Sequence, residues 1–232
     1  MLQLLPEDFL SSDTGAAGWY GKIPALGDFA SRRLPNEFTQ RWDAWLARAI
    51  ETSQAALGSA WLDTYLSGPL WRFALSPGVI DTRYWFGVLM PSVDRVGRYF
   101  PLTIAAGSSL PPTPPLAALE QWYERAAVAA LECLTAGATV ERLEASLANL
   151  GPLAFYPSDG GLSAGDGVLA RLPAAQGLEQ AFAHAATPLL LRELRGATYW
   201  WPRFEGEAPP AVVVLRGLPD TAAFARLLDG SL

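Results

Sequence analysis

The sequence predicts an α/β (α+β) fold: a central, mainly antiparallel sheet with helices packed on its faces, forming a single compact body. Three observations carry this expectation. Two aromatic, strand-length apolar runs, residues 84–90 and 99–106, follow one another across a short connection, which favours an antiparallel meander. The helical segments after residue 116 have apolar faces but few strands of their own, so they need the same sheet to cover. The chain has 232 residues, half of them apolar, with nine tryptophans. A body of that size buries about 70% of its unfolded surface and needs neither disulfide nor metal to fold.

Residues 1–17 show little periodicity and are expected to be loose; residues 18–232 then form the single domain. Residues 18–24 read as a short aromatic strand, and the stretch from Gly27 to Arg33 as loop. Pro35 suits a helix first turn, and Phe38, Trp42, Trp45, Leu46, Ala49 and Ile50 follow at helical spacing. Gly58 is expected to end that helix as a left-handed cap. Ser59 is expected to cap a second helix carrying Trp61, Leu62, Tyr65 and Leu66. Gly68-Pro69 breaks it. Trp71, Phe73 and Leu75 alternate with Arg72 and Ala74 as in a strand. Pro101 belongs at an edge, a bulge or a strand start.

Residues 107–115 hold four prolines and form a stiff linker between lobes at about 18–106 and 116–232. Helices are expected around residues 116–134, 140–150 and 178–186. The stretch 155–177, rich in Gly, Pro and Ser, is expected to be mostly loop. Residues 199–204 and 211–215 read as strands, and Phe224, Leu227 and Leu228 mark a final helix. Trp200 and Trp201, adjacent on one strand, must point to opposite faces. Trp42, Trp45, Trp61, Trp71 and Trp85 are read as core.

The formal net charge is −6. An acidic surface repels phosphate backbones and anionic membranes, so neither nucleic acid nor membrane insertion is expected. A single cysteine, Cys133, permits no intrachain disulfide, and the N-terminus lacks a basic signal region. A cytoplasmic location is expected. Lys22 is the sole lysine beside sixteen arginines. Either base composition accounts for it, or Lys22, followed by Ile-Pro, has a position-specific task that arginine cannot fill.

Catalytic constellations are sparse. His184, the only histidine, has no Gly-x-Ser-x-Gly elbow to serve. Cys133 lies on an apolar helical face and reads as a small buried hydrophobe. Asp159-Gly160-Gly161 and Gly165-Asp166-Gly167 lack the Lys-Ser/Thr of a phosphate loop and the Glu of a calcium loop. No cofactor is expected. Asp28, Asp81 and Asp94 are the carboxylates near glycine-bearing loops; metal-dependent hydrolysis using Asp28 and Asp94 is the enzymatic alternative.

The most informative stretch is residues 91–101, Pro-Ser-Val-Asp-Arg-Val-Gly-Arg-Tyr-Phe-Pro. Charge this dense between apolar strands is either an ion-pair network or a recognition surface. The candidate surface comprises Gly27, Asp28, Phe29, Arg33, Ser92, Asp94, Arg95, Gly97 and Arg98. Gly97 gives the turn a backbone freedom other residues lack, and Arg95 and Arg98 suit bidentate carboxylate contacts. In the purely structural alternative, Asp94 pairs with Arg33 or Arg95 and fixes the loop.

Several separate motifs then occur in one order: Gly21-Lys22-Ile23-Pro24, Gly27-Asp28-Phe29, Leu34-Pro35, Trp42-Asp43-Ala44-Trp45-Leu46, Trp71-Arg72-Phe73 and the run from Met90 to Leu102. In these the chain resembles the TagF (ImpM) family of type VI secretion-associated proteins, over roughly residues 18–106. The resemblance implies an α/β fold and a non-enzymatic accessory regulator that restrains secretion post-translationally. It implies a forkhead-associated scaffold protein as the partner, and it brings no catalytic residues to carry over.

Overall fold

The computed structural model describes residues 15–112, 116–153, 155, 162–164, 167–169, 194–203 and 211–231. Residues 1–14 of the N-terminus expected to be loose, the helix expected at 178–186, His184 and most of the glycine-rich loops lie outside these residues. Strands β1 (Gly18–Gly21), β2 (Ala30–Arg32), β3 (Trp71–Leu75), β4 (Tyr84–Met90), β5 (Leu102–Ser108), β8 (Ala197–Pro202) and β9 (Val213–Arg216) form one sheet. Its order is β2-β1-β5-β4-β3-β8-β9, and every adjacent pair is antiparallel. A separate hairpin pairs β6 (Leu162–Ala164) with β7 (Gly167–Leu169). The expected fold class is therefore the observed one. The β3-β4-β5 meander is its centre.

Helices cover both faces. α1 (Asn36–Leu57), α2 (Trp61–Ser67) and α5 (Thr221–Asp229) pack on one; α3 (Ala117–Glu132) and α4 (Val140–Ala148) pack on the other. In β4, Trp85 and Leu89 enter the first core, while Phe86, Val88 and Met90 enter the second. That is why residues 84–90 form a continuous apolar run rather than an alternating one. Trp200 lies in the first core and Trp201 packs against the second, 5.0 Å from the Tyr123 ring. The five tryptophans read as core are all buried. No helix among the described residues is long and apolar enough to cross a membrane.

Local differences from expectation have identifiable causes. Ala30–Arg32, expected as loop, is edge strand β2, paired to β1 from Gly21↔Ala30 to Trp19↔Arg32. Three largely exposed residues carry no alternation to read. Gly58 does have a positive φ, 53°, but its ψ of −125° takes the chain into a 3-10 turn at Gly58–Ala60. That turn runs directly into α2, so Ser59 caps nothing and Ala60 precedes the helix with no side-chain cap. The expected linker begins inside β5, which extends to Ser108. Pro101 stands just before β5, at a strand start. Side-chain caps occur where Thr139 accepts from the Arg142 amide and Asp220 from the Ala223 amide.

Arg72 alternates with apolar neighbours, as on a strand with one wet face. Instead α3 covers it: its side chain is 3% exposed, and it bonds Glu120 at 2.7 Å and also Glu124. Its Nε has no partner. Both glutamates are about half exposed and rehydrate when released. Arg72→Met is therefore expected to leave the urea-unfolding free energy unchanged or raise it by about 1 kcal/mol. Glu120→Gln with Glu124→Gln, which strands the buried guanidinium, is expected to lower it by about 3 kcal/mol. The reverse ranking in urea titrations contradicts this account of the pair.

Candidate functional site

At the end of β1 the chain passes close under the start of β5. Gly21 has φ +132°, and a Cβ there would lie 2.1 Å from the Pro101 carbonyl oxygen. Only glycine fits. The next residue, Lys22, is thereby turned inward. Its Nζ stands 3.0 Å from Asp94 Oδ2 and 4.6 Å from the centre of the Phe29 ring. A single compact ammonium serves one carboxylate oxygen and one ring face here, a task unsuited to a planar guanidinium.

Asp94 organises the loop after β4. Its side chain is fully buried. Oδ1 accepts from the amides of Val96 at 3.0 Å and Arg98 at 2.9 Å; Oδ2 accepts from Lys22 and from Arg98 Nε at 2.7 Å. Burial by itself raises a carboxyl pKa. The Arg98 amide, the Lys22 ammonium, the Arg98 guanidinium and the Val96 amide outweigh it and hold Asp94 well below the usual carboxylate range. Backbone bonds between Asp94 and Arg98, and from the Gly97 amide to the Asp94 carbonyl, close the turn. Gly97, with φ +85°, supplies the left-handed residue it requires.

The turn is fastened to its surroundings on two sides. The Arg95 amide donates to the Leu26 carbonyl at 2.8 Å, and Arg98 Nη2 donates to the Gly27 carbonyl. On the other side the Tyr65 hydroxyl, from α2, accepts from the Ser92 amide and donates to the Ser92 carbonyl, both at 2.9 Å. The excursion at 91–101 is thus a pinned turn wedged between the 23–29 loop and α2.

This divides the sequence-predicted residues into three groups. Asp94 and Ser92 are 3% exposed and have no surface to offer. They hold the turn, as the structural alternative anticipated, though through other partners: Asp94 pairs with Lys22 and Arg98, not with Arg33 or Arg95. Arg33 belongs to a different cluster. At φ 61°, it donates from Nε to the Ala17 carbonyl at 2.8 Å and pairs with Glu144 of α4. Glu144 also accepts from Trp19 Nε1 at 2.6 Å. The outer set is Asp28, Phe29, Arg95, Gly97 and Arg98, all exposed, with Gly27 partly so. Sequence reasoning passed over Val96, 65% exposed at the tip, and Tyr20 and Phe100, which flank Phe29. For Lys22 it offered a position-specific task beside a compositional explanation, but no partner; the lone lysine was the available signal.

The hydrolase alternative loses its donor set. Both oxygens of Asp94 are taken by cations and amides, and Asp28 approaches the same Arg98 at 3.5 Å. Asp81 lies in another turn, bonded to Arg83 at 2.6 and 2.9 Å. Among the described residues no three His, Cys, Asp or Glu side chains cluster as a metal site. Burial, with Glu132 nearby, pushes the Cys133 thiol up to about 11, the behaviour of a packed side chain.

Residues 18–150 match the sequence model of a family described as the TagF N-terminal domain, type VI secretion system-associated. Among solved structures the chain is similar to PA0076 from Pseudomonas aeruginosa PAO1. The two share 39% identity and a TM-score of 0.74, over 93% of this chain and 94% of that one. No curated protein matches the chain.

Proposed function

Because this chain belongs to the TagF family of type VI secretion system-associated proteins, we propose that it is a non-enzymatic accessory regulator of that machine. It acts in the cytoplasm, restraining assembly post-translationally by binding a forkhead-associated scaffold protein. The docking face is the outer half of the polar corner: Gly27, Asp28, Phe29, Arg95, Gly97 and Arg98. The observation that carries this reading is the division of labour within the corner. Buried Asp94, Ser92 and Lys22 fix the turn from beneath. An outer row of side chains is left exposed on a rigid base, the arrangement that lets a binding surface act without reordering.

The test is retention of the purified scaffold protein by the immobilised full chain, compared with the variant Arg95→Glu, whose side chain forms no ion pair among the described residues. The wild-type chain is expected to retain the scaffold, and the variant to lose at least about tenfold in affinity, with its circular dichroism unchanged. Failure of the wild-type chain to retain the scaffold rejects the partner. Undiminished retention by a folded variant rejects the face.

A further inference from the structure

Resting on that reading of the corner, we infer the chemistry of the surface it meets: an apolar socket bordered by carboxylates, into which Phe29 inserts while Arg95 and Arg98 engage the acids. Phe29 is 45% exposed, yet its ring is held in place. It lies nearly parallel to Tyr20, centroids 6.2 Å apart at 13°. It meets Phe100 edge-on at 4.7 Å and 80°, and Lys22 Nζ sits 4.6 Å from its centre. An aromatic ring oriented before the encounter loses little rotamer freedom on binding, which is what an interface anchor requires. Val96, at the tip of the pinned turn, adds a second exposed apolar group.

Charge defines the border of the socket. Arg95 forms no ion pair among the described residues, and its guanidinium lies over Gly27, 3.4 Å from where a Cβ would stand. Arg98 is 52% exposed, and its outward contact is a 3.5 Å approach to Asp28, itself 81% exposed. In the outer row of this corner the exposed charges are Arg95 and Arg98 against Asp28. Beneath them Lys22 and Asp94 pair with each other, so the exposed row keeps a cationic excess in a chain of formal net charge −6. The corner is thus a cationic spot on an acidic molecule. A second copy of the corner would repel it, and a long polyanion would be repelled by the rest of the surface. A protein face with a few acids around an apolar pocket satisfies both the ring and the guanidinium groups.

The experiment replaces Phe29 with the photo-crosslinker p-benzoylphenylalanine in the full chain, within cells that express the secretion apparatus. The adduct is mapped by mass spectrometry. The expected adduct lies on the scaffold protein, at an apolar residue flanked by Asp or Glu, and its yield falls at least about tenfold when Arg95→Glu is added. In parallel, Phe29→Ala is expected to weaken binding of the purified scaffold roughly 100-fold, whereas Leu66→Ala, exposed on α2, leaves it unchanged. No adduct, an adduct on a surface without acids, or a yield indifferent to Arg95→Glu overturns the socket. Scaffold binding that persists without an adduct removes the socket and leaves the partner standing. An acid-bordered adduct on some other protein supports the socket and removes the scaffold.

Discussion

Trp42→Ala is expected to lower the unfolding free energy by about 3–5 kcal/mol. Trp42 has no exposed surface and sits where α1 meets the sheet. Its ring is 5.3 Å from Phe38, 4.6 Å from Trp45, 4.9 Å from Phe73 and 6.3 Å from Trp200. Its Nε1 donates to Thr103 Oγ1 at 2.8 Å, tying α1 to β5. Removing the indole therefore opens a cavity among rigid aromatic neighbours that cannot collapse into it, and leaves a buried hydroxyl without its donor. Trp42→Phe keeps most of the volume but not the donor, and a loss of about half that size is expected. Chemical denaturation with the transition slope held in common measures both. A Trp42→Ala loss below about 1 kcal/mol would sink this view of the core.

Asp94→Ala is expected to lower the melting temperature by about 10 °C. The variant leaves Lys22, 4% exposed, as an unpaired buried cation, and frees the amides of Val96 and Arg98 that the carboxylate held. The pH dependence follows from the same contacts. The folded carboxyl titrates below its unfolded value of about 3.9. Its contribution is therefore complete above that value and is lost as pH falls through the folded pKa. Asp94→Asn should lower stability at neutral pH and flatten its decline below about pH 4 relative to wild type. Parallel acid limbs in thermal melts would show that another carboxylate dominates. Adding Lys22→Met to Asp94→Ala should recover part of the loss, because the stranded charge is gone.

Much of this architecture was legible in the sequence because apolar spacing records burial. α1 and the final helix carry a helical period, β4 is a continuous apolar run buried on both sides, and Trp200-Trp201, adjacent on a strand, were read as facing opposite ways. What escaped notice was set by tertiary context. β2 has three exposed residues and exists because β1 offers it an edge. The alternation around Arg72 marked a strand but not the cover that α3 lays over it with two glutamates. At the corner, the charge density of residues 94–98 located the feature, but a linear sequence does not say which cation reaches which anion. Arg33 and Arg95 were the partners read for Asp94 there; the close passage at Gly21 brings Lys22 to it instead.

The strand order has a consequence for synthesis. β3, in the middle of the sheet, pairs with β4 on one side and with β8 on the other, where Trp71 opposes Pro202. Trp71 Nε1 also donates to the Leu227 carbonyl, and Trp45 Nε1 to the Pro219 carbonyl. A nascent chain emerging from the ribosome has therefore made β3 long before its second neighbour exists. At about 5–20 residues per second, the interval is on the order of 10 s. For that time the growing polypeptide carries an open, tryptophan-lined flank, which β8 and the final helix then close.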